Sequence, residues 1–121
     1  MSVSIGQAGE ERAALYLQEH GLRIITRNYR TKRGELDIIA DDDGTLCFVE
    51  VRLRANSIFG APLDTVGIRK QKRLTYAAMQ YLTKHAAVMN RYPCRFDVLS
   101  IEIYPARVIW VKNAFCLNSQ F

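Results

Sequence analysis

The chain has 121 residues, 49% hydrophobic and 24% charged, with 17 Lys and Arg against 12 Asp and Glu and a formal net charge of +5. That length fits one domain spanning 1–121, with a core from about residue 4 to residue 112, and the composition excludes disordered and fibrous classes. No apolar run approaches a membrane span, and Met1 to Gly9 lacks a charged-then-apolar leader pattern, so no membrane partner and a cytoplasmic location are expected.

Ser4 to His20 reads as a helix, with Ser4 and Gln7 at capping-box spacing and Gly21 as its stop. Leu22 to Tyr29 reads as a first strand. Gly34 to Ala40 and Thr45 to Leu53 alternate polar with β-branched or aromatic residues and flank Asp43-Gly44, the pattern of a tight hairpin. Arg54 to Leu63 reads as a loop, in which Ile58, Phe59 and Leu63 belong either to an interface or to the core. Asp64 or Thr65 caps a second helix running to about Ala86, with Ile68, Leu74, Ala77, Ala78, Tyr81 and Leu82 recurring at helical spacing. After a turn over Met89 to Pro93 come two strands, Cys94 to Tyr104 and Arg107 to Val111, then a loosely ordered tail from Asn113. The order α-β-β-β-α-β-β predicts an α/β fold, a mixed central sheet flanked by helices.

The hairpin carries the chemistry. A two-residue turn at Asp43-Gly44 places Asp37 opposite Glu50 and Glu35 opposite Arg52, all on one sheet face; a four-residue loop would face Glu35 with Glu50 instead. Like charges directly opposite destabilise a sheet, so an acid pair there points to a bound cation. A hard ion such as Mg²⁺ (or Mn²⁺) takes one or two carboxylates together with substrate phosphate oxygens. Asp37, Glu50 and the backbone carbonyl of Val51 are the expected metal ligands. Arg52 projects from the same face, where it can orient water or steady transition-state charge, but a guanidinium cannot be the general base.

Basic residues surround these acids. Arg23, Arg27, Arg30, Lys32 and Arg33 form one run, Arg69, Lys70, Lys72 and Arg73 another, and Arg54 follows the hairpin. Such clusters attract the phosphates of a polyanion, and DNA is the expected partner, with structured RNA the alternative. Glu10 lies on the packed face of the first helix, where it either pairs with a nearby arginine or serves the site. Tyr29 reads as core rather than a base-stacking residue. Asp97, sharing a strand face with Arg95, reads as an ion-pair partner rather than a third ligand. Cys47, Cys94 and Cys116 lack C-x-x-C spacing and read as free thiols, the first two packed. His20 and His85, at predicted helix ends, suit the helix macrodipole better than zinc.

Asp37 followed by Glu50-Val51-Arg52 resembles the D…(D/E)-x-K signature of the restriction-endonuclease-like nuclease superfamily. A wider set is more specific: Gly6-x-x-Gly9-Glu10, Arg27-Asn28-Tyr29-Arg30, Gly34-Glu35-Leu36-Asp37, Phe48-Val49-Glu50-Val51-Arg52, Lys70 and Arg95-Phe96-Asp97-Val98. Together, over about Gly6 to Phe115, these resemble the bacterial YraN-like family (uncharacterised protein family 0102), itself similar to archaeal Holliday-junction resolvases. The resemblance implies an αβββαβ nuclease core and a Mg²⁺-dependent endonuclease acting on DNA, branched substrates included. It also implies catalytic roles for Glu10, Asp37, Glu50, Arg52 and Lys70, with a homodimer to supply paired active sites. Arginine stands at position 52 where active members usually carry lysine. The alternative is therefore a catalytically silent nucleic-acid-binding module on a nuclease scaffold.

Overall fold

Strand alternation sorts the apolar side chains onto two sheet faces, and one helix covers each face. A computed structural model describes residues 5–56, 66–86, 92–104 and 106–116. Its elements run α1 (Ile5–Glu19), β1 (Arg23–Arg30), β2 (Glu35–Asp42), β3 (Thr45–Asn56), α2 (Ile68–Lys84), β4 (Cys94–Tyr104) and β5 (Arg107–Phe115). The five strands form one sheet in the order β1-β2-β3-β4-β5, antiparallel except for the parallel β3–β4 pair on either side of α2. This mixed α/β arrangement has the αβββαβ order of a restriction-endonuclease-like core, with β5 added at the edge.

On one face Ala13, Ala14 and Leu17 of α1 pack against Ile38, Ala40, Cys47, Val49 and Leu99. On the other, Leu74, Ala77, Ala78 and Tyr81 of α2 pack against Ile39, Leu46, Phe48, Phe96 and Val98. Tyr29 joins this second core, edge-on to Tyr81 with ring centroids 5.3 Å apart. Cys47 is fully buried, Cys94 half-buried and Cys116 exposed, all as free thiols. Burial first, and the Asp97 carboxylate second, push the Cys47 thiol up to about 12, which leaves it inert at neutral pH. His20 and His85 each set Nδ1 against a carbonyl of the preceding turn, Tyr16 at 2.7 Å and Tyr81 at 2.9 Å.

The hairpin turn forms as its dipeptide dictates. Asp43 and Gly44 have φ of 49° and 97°, the pair of positive values that a type I′ turn demands. The Asp41 carboxylate accepts the Gly44 N–H at 2.8 Å. Pairing proceeds from Asp42 opposite Thr45 to Ile38 opposite Val49, which excludes the four-residue loop. The β2–β3 ladder does not extend to Glu35 and Arg52. Glu35 pairs with Arg30 across β1, with Arg30 Nε 3.5 Å from Glu35 Oε1, because β2 follows β1 away from β3 beyond Ile38.

Other boundaries also differ from the sequence expectation. β3 continues through Asn56, past the expected end at Leu53. α2 begins at Ile68 with Gly67 as N-cap and no side-chain cap bond, so neither Asp64 nor Thr65 is the cap. Those two residues lie outside the described residues, as do Ser4, Ile58, Phe59 and Leu63. Ile68, the first helical residue, is 61% exposed rather than packed. β5 continues past Val111 to Phe115, because positive φ at Asn113 accommodates a register shift and lets Phe115 stack on Phe96 at 4.4 Å.

A buried polar node anchors β5. The fully buried Asp97 accepts hydrogen bonds from Arg95 Nε (3.0 and 3.1 Å), Trp110 Nε1 (3.0 Å) and the Asn113 amide (2.9 Å). Arg95 also reaches Asp42 at 2.7 Å. Four donor contacts satisfy a carboxylate that would otherwise be costly to bury, so Asp97 is structural.

The turn between β1 and β2 is closed by Thr31, whose hydroxyl donates to the Gly34 carbonyl at 2.8 Å and accepts the Gly34 amide at 3.0 Å. That turn lies against α2 so closely that a Cβ on Gly34 would overlap the Arg73 carbonyl oxygen and sit 2.8 Å from its carbonyl carbon. Gly34→Ala is expected to destabilise the protein by about 1–3 kcal/mol through overpacking against backbone. The check is a lowered urea midpoint with unchanged slope; an unchanged midpoint would mean that the turn does not rest on α2.

Candidate functional site

Ladder pairing between β2 and β3 ends at Ile38–Val49, and the two strands part like a fork. At the next step Asp37 replaces the ladder with its side chain: Oδ2 accepts the Val51 amide at 2.8 Å. The amide and carbonyl of one strand residue point to the same side in an antiparallel pair. The Val51 carbonyl therefore faces the same gap as the amide that Asp37 holds.

Glu50 enters this gap from β3 and is only 7% exposed. Its carboxylate lies close enough to Asp37 for a side-chain hydrogen bond. Asp37 is pushed up to about 7, first by burial, then by the neighbouring Glu50 charge, while the Val51 N–H bond opposes the shift. Two carboxylates this close cannot both ionise cheaply unless a cation joins them.

The cation present is Lys70, from the first turn of α2, with Nζ 3.2 Å from Glu50 Oε2. The contact is off the line of a hydrogen bond, so this buried oxygen has charge compensation and no hydrogen-bond partner. Lys70 is itself 55% exposed, which leaves it free to swing outward. Among the described residues no group of three or more His, Cys, Asp or Glu side chains could hold a metal. Two carboxylates, a backbone carbonyl and water nevertheless form a suitable donor set for Mg²⁺ or Mn²⁺. The orphaned oxygen of Glu50 and the raised Asp37 both fit that role.

These groups line a cleft of about 430 Å³ between the β1–β2 turn and α2. Asp37, Glu50 and Glu35 supply its acids, Arg30 and Arg33 its turn wall, Lys70 and Arg73 its helix wall. The two basic runs of the sequence thus converge on the acid pair. Lys32, Arg69 and Lys72 are exposed nearby, and Arg54 is half-buried on β3, but none of the four lines the cleft. Arg52 is half-buried beside Ser100 of β4, on the Glu50 face of β3, and also lies outside the cleft lining.

Glu10 and Arg27 meet elsewhere. Arg27 reaches Glu11 at 2.6 Å and Glu10 at 3.9 Å, tying β1 to α1 on the opposite sheet face. Sequence reasoning missed Thr31 and the contribution of Arg33 and Arg73 as opposed walls. The Gly34-Arg73 contact that juxtaposes them links positions far apart in the chain and has no local signature.

Residues 9–101 match the family described as Uncharacterised protein family UPF0102. Similar proteins include the UPF0102 protein of Pseudomonas putida, 49% identical with 91% of this chain and 90% of the relative covered. The UPF0102 protein of Janthinobacterium sp. is 44% identical, with 90% and 85% covered. That of Pseudomonas syringae pv. syringae is 45% identical, with 90% and 93% covered.

The raised Asp37 has a thermodynamic consequence without metal. Between the ordinary carboxylate range and about 7, the folded protein retains a proton that the unfolded chain has released, so stability falls as pH rises through that window. The loss is on the order of a few kcal/mol. Asp37→Asn, which can still accept the Val51 amide, is expected to flatten this slope and raise the melting temperature at pH 8 in EDTA. A lower melting temperature for Asp37→Asn at pH 8 would contradict the strained acid pair.

Proposed function

This chain belongs to the uncharacterised protein family UPF0102, and from its site we propose that it is a Mg²⁺- or Mn²⁺-dependent endonuclease hydrolysing DNA phosphodiester bonds, branched DNA included. One observation carries the reading: two mutually repelling carboxylates, Asp37 and Glu50, lie in a cleft walled by Arg30, Arg33, Lys70 and Arg73.

Asp37, Glu50 and the Val51 carbonyl would hold the ion. A bound divalent metal supplies Lewis acidity at the phosphoryl oxygen and a water of lowered pKa. Arg30 and Arg33 on one wall and Arg73 on the other then hold a phosphate backbone over the acids, since bidentate guanidinium groups suit phosphate oxygens. Lys70, exposed and held to Glu50 by charge alone, would turn its ammonium to the reacting phosphate. It is the one basic group of the cleft lining able to exchange a proton, which gives it the role that lysine takes in the superfamily signature. Arg52 supports Glu50 from the same strand face as a positioning residue. Cutting both strands of a four-way junction requires two sites, which a symmetric homodimer would supply. A cytoplasmic location accords with such a substrate, and among the described residues no helix is long and apolar enough to cross a membrane.

The second reading is a binding module without turnover, on DNA or structured RNA. Arg52 at the signature lysine position favours it, as does the Lys70 ammonium already neutralising Glu50.

Asp37→Asn and Glu50→Gln are each expected to lower Mg²⁺-dependent cleavage of flapped or four-way DNA by more than about 100-fold, with DNA binding retained. Arg52→Ala should reduce wild-type cleavage; activity gained only in Arg52→Lys would instead establish the silent module. Absence of metal-dependent cleavage on linear, nicked, flapped and four-way DNA would refute the enzyme reading for those substrates.

A further inference from the structure

A second depression, of about 420 Å³, adjoins the cleft along α2 and is lined by Arg33, Tyr76, Met79, Gln80 and Thr83. Arg33 lines both cavities, so the two adjoin at that side chain. Helical spacing sets Arg73, Tyr76, Gln80 and Thr83 in one stripe leading away from the acids. The walls are mainly apolar, in contrast to the cleft itself.

Three features distinguish this groove from ordinary helix surface. The Arg33 guanidinium covers one face of the half-buried Tyr76 ring, Cζ to centroid 5.1 Å, a π-face already suited to a flat partner. Met79 is 40% exposed at the groove wall. The Gln80 side-chain oxygen is buried with no hydrogen-bond partner, whereas the Thr83 hydroxyl is satisfied by the Met79 carbonyl at 2.8 Å. An unmatched acceptor one side-chain rotation from an apolar groove that also carries an aromatic ring suits a planar ligand with a polar edge.

We propose that the groove binds one unpaired nucleobase of the DNA strand whose phosphate occupies the cleft, so that the substrate is single-stranded at the cut, as in a flap or an open junction arm. The inference rests on the nucleic-acid reading of the cleft. A base within duplex is stacked and paired and cannot reach a groove on a helix flank, whereas an unpaired base can stack on an aromatic ring. The base takes the place of the guanidinium over Tyr76, and Arg33 moves the short way to a phosphate in the cleft it also lines. Gln80, turning its buried amide oxygen outward, then accepts a hydrogen bond from an amino group on the base edge.

The test is fluorescence anisotropy of the full chain in EDTA with flapped DNA and blunt duplex of matched length at one stated salt concentration. Wild-type protein is expected to prefer flapped DNA. Tyr76→Ala should weaken flap binding by about five- to one-hundred-fold, the range for loss of one base stack, while duplex binding changes less than about twofold. Tyr76→Phe should retain the preference, and Gln80→Ala should lose part of it. Equal loss on flap and duplex, or no loss on either, would overturn the base site while leaving a phosphate-binding cleft intact. No binding by wild type to either DNA would overturn both readings. A Tyr76-dependent flap preference without metal-dependent cleavage would uphold the groove and reject only the enzyme.

Discussion

The hydrogen bond from the Val51 amide to Asp37 is the constraint on which this site depends. It forms where the β2–β3 ladder stops, and it substitutes a carboxylate for a backbone carbonyl. A sheet normally satisfies every interior amide with backbone, and that regularity leaves no room for a ligand. Here the Val51 amide is satisfied while the strands separate, so opening the fork does not orphan that donor. The same bond fixes the Asp37 side chain next to Glu50 and leaves the Val51 carbonyl facing the gap. Local stability and the geometry for a cation arise together.

The two sheet faces divide the charged residues between structure and candidate chemistry. On the α1 face, Asp97 is matched by Arg95, Trp110 and the Asn113 amide, and Arg27 is matched by Glu10 and Glu11. Those groups have their charges answered within the protein, although Arg27 Nε stays without a hydrogen-bond partner. On the α2 face the balance is unequal. Glu50 meets the Lys70 ammonium and Asp37 the Val51 amide, while Arg30, Arg33 and Arg73 stand at the rim. A divalent cation at the floor and a phosphate at the rim would complete both shells, and each makes the other more favourable.

Much of this was readable from local chemistry. Asp43-Gly44 specified a two-residue turn, that turn specified register as far as Ile38–Val49, and Asp37 meets Glu50 one step beyond it. Apolar spacing from Leu74 to Tyr81 identified the buried stripe of α2. Long-range contacts were not readable. Nothing near Asn113 signals that its amide meets a buried carboxylate sixteen residues earlier, yet that bond carries β5 to Phe115. Alternation extrapolated past Ile38 paired Glu35 with Arg52, whereas β2 departs with β1 and gives Glu35 to Arg30. Gly34 was visible as a motif residue, but its contact with Arg73 belongs to tertiary packing, and so does the cleft that contact closes.

Anomalous diffraction from crystals soaked in Mn²⁺ tests the cation site most directly. The account predicts one strong peak between the carboxylates of Asp37 and Glu50, within ligand distance of the Val51 carbonyl, with Lys70 turned away from Glu50. Mn²⁺ bound elsewhere, or a peak-free fork in which Lys70 still holds Glu50 at saturating metal, would contradict it.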